Sequence, residues 1–299
     1  MRISILFLLL FSLVACGTFK KTAELESPKP LLPFQATILP ADTSSLWINH
    51  GNLDSDTVII NCQDGPTATL KFAAFGRSNL AFLPGYERYT SVYLHQAQTF
   101  NPSLYNYESD FSLDLAKLET EKSIAMLDLA IRYYKSRNKT VIVIGSTYGA
   151  MLIQDYLATH ESLADKYILL AGRLDMDEEM ILEYQHGNQG EFFEDGRSFI
   201  PDFEPTTIPP VTAADRESLL TNRLNAAVAF KRYTEALNHS DLSNVVYFYA
   251  ENDQVVGSLS ADEVKFLLTK GARVFPTKDG HADAFFRFID AILDGRLVL

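Results

Sequence analysis

The stretch VIVIGSTYGAM, Val141–Met151, decides the fold. Its first four residues are an unbroken run of β-branched apolar side chains, the pattern of a strand covered on both faces. Gly145, Ser146, Thr147, Tyr148 and Gly149 follow as a short turn, and from Met151 the chain reads as a helix to His160. Outward in both directions the same rhythm recurs. Strands are predicted at 56–62, 89–95, 140–145, 166–172, 244–250 and 272–276, and helices over Leu113–Arg137, Asp215–Leu237, Ala261–Lys270 and Ala282–Leu293. The stretch from Leu113 carries Leu115, Leu118, Ala125 and Leu129, and the nearby Leu127, Ile131 and Tyr134, on a helix-like spacing. Strands alternating with helices through right-handed crossovers define an α/β chain, with an open, mostly parallel, twisted sheet and helices on both faces.

A chain of 299 residues that is 47% apolar buries a large core. Lys plus Arg number 26 against 38 Asp plus Glu, a net charge of -12, and no local basic stripe offsets it, so no nucleic-acid partner is expected. Two cysteines, Cys16 and Cys62, make neither a disulfide framework nor a cysteine zinc site. No G-x-x-x-x-G-K, G-x-G-x-x-G or H-E-x-x-H pattern is present, so neither cofactor nor metal is expected. From Arg173 to Ser243 the strand–helix rhythm breaks, with Gly187, Gly190, Pro201, Pro205, Pro209 and Pro210 along the way. An interruption of that length predicts a lid or cap, 173–243, inserted in a core made of 36–172 and 244–299. Between Arg173 and Pro205 it carries ten acidic residues against two basic ones, with Tyr184, Phe192, Phe193, Phe199 and Phe203 among them. One reading is a solvated acidic surface over a few packed aromatics; the other is a lid that disfavours anionic substrates.

The turn in Val141–Met151 resembles the nucleophile elbow of the α/β-hydrolase family, G-x-S-x-G, with Thr147 in place of the central serine. The resemblance runs over about residues 45–295 and implies an α/β-hydrolase fold. The family's order of nucleophile, acid and histidine is filled by Asp253 in NVVYFYAENDQVVG and by His281 in ARVFPTKDGHADAFFRFI. VIINCQDGPTA resembles the H-G-G-P loop, which implies Gly65 and the N–H of Tyr148 as the oxyanion donors. Gln63 and Asp64 stand where histidine and glycine are usual, and of the D-Q-R-G seen in related peptidases and esterases only Gln96 remains. Asp64 would oppose a developing negative charge unless it points away or pairs. Ser146, one step before the elbow's apex, is an alternative nucleophile; it belongs to the strand end, with its side chain expected to point away from the histidine.

The implied activity is hydrolysis of an ester or amide bond in a small-molecule or peptide substrate, by Thr147, Asp253 and His281. The alternative is a catalytically inactive, hydrolase-fold binding lipoprotein of the cell envelope, in which Thr147 and Asp64 mark a lost apparatus.

At the N-terminus, Arg2 precedes an apolar run from Ile5 to Ala15, the form of a secretory signal and too short to span a bilayer. Leu13-Val14-Ala15-Cys16 resembles the lipobox of bacterial lipoproteins, which implies a signal peptide over 1–15, acylation of Cys16, and a polar, proline-containing tether over 16–35. Gly17 after the cysteine, where enteric-type sorting would read Asp, implies the periplasmic face of the outer membrane.

Overall fold

A computed structural model describes residues 35–70, 83, 85–105, 111–202 and 212–299. The signal, Cys16 and nearly all of the tether lie outside the described residues, as do Phe203, Pro205, Pro209 and Pro210.

In chain order the elements are β1 (Trp47–Gly51), β2 (Thr57–Cys62), β3 (Thr90–Leu94), α1 (Leu113–Lys135), β4 (Thr140–Ser146), α2 (Tyr148–Thr159), β5 (Lys166–Leu170), α3 (Glu178–His186), β6 (Gly190–Phe192), β7 (Phe199–Pro201), α4 (Ala213–Ala229), α5 (Tyr233–Ala236), β8 (Val245–Ala250), α6 (Ala261–Thr269), β9 (Arg273–Thr277) and α7 (Asp283–Leu293). Seven strands form one sheet in the order β1-β3-β2-β4-β5-β8-β9, parallel throughout except for β1, which runs antiparallel to β3 at the edge. β6 and β7 make a separate antiparallel hairpin, and the described residues between 171 and 244 add no strand to the main sheet.

Alternation along β4 divides the core in two. Val141 and Val143 join α1, α2, α4 and α6 on one face, while Ile142 and Ile144 join Ala284, Phe288 and Ala291 of α7 on the other. Both faces of β4 are therefore dry, which is why its sequence reads as a continuous apolar run. Pro276 sits in β9, at a sheet edge where a missing N–H costs no central ladder bond.

Of the two long helices expected, the one from Leu113 forms as a single helix and the other is corrected. The face of α1 that is buried runs through Ala116, Glu119, Thr120, Ser123, Ile124, Leu127, Ala130, Ile131 and Tyr134, whereas Leu118 and Leu129 are exposed. Polar residues occupy this stripe because they work there: Glu119 accepts the Thr37 N–H at 2.7 Å, and Ser123 Oγ accepts the Ala97 N–H at 2.9 Å. The single helix expected over Asp215–Leu237 is two, α4 and α5, separated at Phe230. There Lys231 turns to pair with Asp155 of α2, and Arg232 pairs with Asp175 at 3.3 Å.

Candidate active site

The elbow is built by two close approaches. A Cβ on Gly145 would fall 2.5 Å from the Gly149 carbonyl oxygen, and a Cβ on Gly149 would fall 2.3 Å from that of Cys62. Only glycines let β4, α2 and the end of β2 meet this tightly. Between them Thr147 adopts φ 49° and ψ −110°, outside the regions open to a β-branched residue, a strain on the order of 1–3 kcal/mol. Its N–H donates to the Leu170 carbonyl at 2.9 Å, which ties the strained residue to β5.

Asp253 lies just past β8, and His281 in the turn ahead of α7. The pairing of β8 with β9 brings their loops together, and Asn252 Nδ2 bridges them by donating to the Lys278 carbonyl at 2.7 Å. His281 Nδ1 stands 2.8 Å from Asp253 Oδ2 and 3.0 Å from Oδ1, and Nε2 stands 3.0 Å from Thr147 Oγ1. An ionised carboxylate only accepts, so in a neutral imidazole facing it Nδ1 carries the proton and Nε2 is left with a lone pair toward the hydroxyl. Asp253 is almost wholly enclosed, and its Oδ1 also accepts the N–H groups of Val255 at 2.9 Å and Val256 at 3.0 Å, which holds the carboxylate in one orientation. The His281 side chain remains 21% exposed, open to a reactant. Ser146 is the last residue of β4, in register with Leu170, and no described residue is hydrogen-bonded to its hydroxyl.

The loop after β2 lies against the elbow, since the carbonyls of Cys62 and Gln63 border Gly149. Gly65 has φ 132°, and its peptide bond to Pro66 is cis. Tyr148 supplies the first amide of α2, one of those a helix leaves without an internal acceptor, while its side chain is buried, with the hydroxyl 3.5 Å from Thr120 Oγ1. Asp64 Oδ1 is enclosed and has no hydrogen-bond partner among the described residues.

No protein-family model and no curated protein sequence matches the chain. Solved structures do. The chain is similar to MGS-M2, an alpha/beta hydrolase enzyme from a Medee basin deep-sea metagenome library, with 12% identity over 85% of this chain and 94% of that one and a TM-score of 0.50. The chain has the α/β-hydrolase fold. A lipase-esterase related protein from Clostridium acetobutylicum aligns at 13% identity over 84% of this chain and 96% of that one, with a TM-score of 0.48.

On this α/β-hydrolase scaffold, the sequence left the contacts of three features unread. The β6–β7 hairpin buttresses the Asp253 loop: the Phe192 N–H donates to the Gln254 carbonyl at 2.9 Å, and the Ser258 N–H to that of Gly196 at 2.7 Å. The signal was there, as Asp195-Gly196 between FF and FI is a hairpin turn in the sequence. Of the aromatics in that stretch, Tyr184, Phe192 and Phe199 are buried and Phe193 is exposed. The second feature is the carboxamide of Gln96, inside the β2 loop. The third is His95, whose Nδ1 lies 2.7 Å from Thr99 Oγ1 and whose burial lowers its pKa below the ordinary 6.5. Among the described residues, no group of three His, Cys, Asp or Glu side chains is placed to hold a metal ion, and no helix is long and apolar enough to cross a membrane.

Proposed function

We propose that the chain hydrolyses an ester or amide bond, with Thr147 as nucleophile, His281 as general base and Asp253 as the acid that orients it. The observation that carries this reading is the 3.0 Å approach of His281 Nε2 to the hydroxyl of a residue held at φ 49° and ψ −110°. His281 takes the Thr147 proton as Oγ1 bonds to the carbonyl carbon, and the carbonyl π pair moves onto oxygen. The N–H groups of Gly65 and Tyr148 receive that oxyanion. His281 then returns the proton to the departing alcohol or amine. Water repeats the sequence on the acyl-threonine and restores the enzyme.

Two observations favour the inactive binding protein instead: the extra methyl of Thr147, and an oxygen of Asp64 that no described residue partners. Hydrolysis of p-nitrophenyl esters separates the readings. Catalysis predicts turnover in the natural chain that falls by about 10³-fold or more in H281A. Equal rates would leave the binding reading.

We further infer, from Leu13–Cys16 alone, that the protein is anchored to the bilayer by acylated Cys16 at the periplasmic face of the outer membrane.

A further inference from the structure

We propose that Gln96 is a positioning residue for this reaction, aiming the Gly65 N–H at the oxyanion; the proposal rests on the hydrolase reading above. Gln96 follows β3 and is 2% exposed. Its Nε2 donates to the carbonyls of Gln63 at 3.2 Å and Asp64 at 3.1 Å. Its Oε1 accepts the Thr67 N–H at 3.2 Å and Gln98 Nε2 at 2.6 Å. Both donors and both lone pairs of the carboxamide are engaged, so it has one orientation and no water to replace these bonds.

What those bonds hold is the loop on either side of Gly65. Two carbonyls before it and one amide after it converge on a side chain delivered by another strand. A trans peptide unit is planar, with C=O and N–H pointing in opposite directions. The Asp64–Gly65 bond is trans, so a carbonyl fixed toward Gln96 sends the Gly65 N–H directly away from it. The Gln63 carbonyl that Gln96 grips also borders Gly149, two residues past Thr147. One carboxamide therefore fixes the direction of the donor and its register against the elbow. Gln63 reinforces the loop, with Nε2 donating to Thr67 Oγ1 at 2.9 Å. A neutral amide suits this task because a carboxylate has no proton for the two carbonyls.

The test compares Q96M, which keeps the shape and removes every hydrogen bond, with S123A. Ser123 Oγ caps the Ala97 N–H at 2.9 Å, so S123A loosens the same turn without touching the Gly65 loop. Kinetics on p-nitrophenyl esters and inhibition by phenylboronic acid, which forms a tetrahedral adduct, are measured for both, with natural chain and H281A alongside. The expected result for Q96M is a kcat lowered about 30- to 100-fold, KM within about 3-fold, and boronate inhibition weakened in proportion to kcat. S123A lowers Tm yet keeps kcat and boronate inhibition near natural values. Should Q96M not fold, Q96L, which also lacks both donors, carries the same expectation. A Q96M kcat no lower than that of S123A, or a change confined to KM, overturns the role of Gln96 alone. A natural chain no faster than H281A overturns the hydrolase reading and this role with it.

Discussion

Thr147 concentrates the chemical question at the scale of one residue. Its backbone occupies a region that glycine tolerates and β-branched residues avoid, yet its hydroxyl meets an imidazole at 3.0 Å. The γ-methyl adds strain and narrows the approach to an acyl carbon without contributing to proton transfer. Thr147→Ser removes that methyl and keeps the hydroxyl. It should raise kcat on p-nitrophenyl esters about 10-fold and stabilise the fold by about 1 kcal/mol in urea denaturation. A kcat that falls would mean the methyl itself helps to hold the nucleophile. Thr147, Asp253 and His281 could be picked out as candidates because their residue types and order survive in linear text, and the fold brings the three side chains within hydrogen-bond reach. The sequence singled out Gln96 but not its bonds to the β2 loop, whose partners lie about thirty positions away, a link with no local signature.

Elements place these residues, and their tolerances are measurable. Gly149 joins α2 to the end of β2 with no room for a methyl, since a Cβ would meet the Cys62 and Gln63 carbonyl oxygens at 2.3 and 2.6 Å. Gly149→Ala should destabilise by about 3 kcal/mol or more in urea. Gly295→Ala, with nothing within 4 Å, should cost only about 1 kcal/mol for its positive φ. Comparable losses would contradict the close approach. After β3, burial favours the neutral form of His95 and holds its folded pKa below the ordinary 6.5. The unfolded chain then binds more protons in acid, so this contribution to stability is complete above pH 6.5 and is lost as pH falls through the folded pKa. Between pH 8 and pH 5 the natural protein should lose more stability than His95→Asn; equal losses would remove His95 from the account. The buried parallel strands were legible because two dry faces impose an unbroken apolar run. β1 was not, since Trp47 is its one buried residue and its neighbour β3 alone holds it to the sheet. The phase of α1 was hidden by Glu119, Thr120 and Ser123 in its buried stripe.

At the scale of the whole molecule, a single sheet gathers side chains 134 positions apart in the chain. β4 delivers Thr147, while β8 and β9, neighbours at the far edge, deliver Asp253 and His281. The hairpin within 173–243 then braces the acid loop from outside the sheet, so this stretch supports the site as well as standing beside it. The expected anchor sets a separate test at this scale. On expression in a bacterial host and Triton X-114 extraction, the natural chain should partition into detergent and Cys16→Ser into the aqueous phase; identical partition would remove the anchor. The central claim is that the three side chains act as one nucleophilic unit. The most direct measurement is labelling with a fluorophosphonate probe, followed by mass mapping of the adduct. The account predicts an adduct on Thr147 that disappears in H281A. An adduct on Ser146, or labelling of Thr147 that persists without His281, would contradict it.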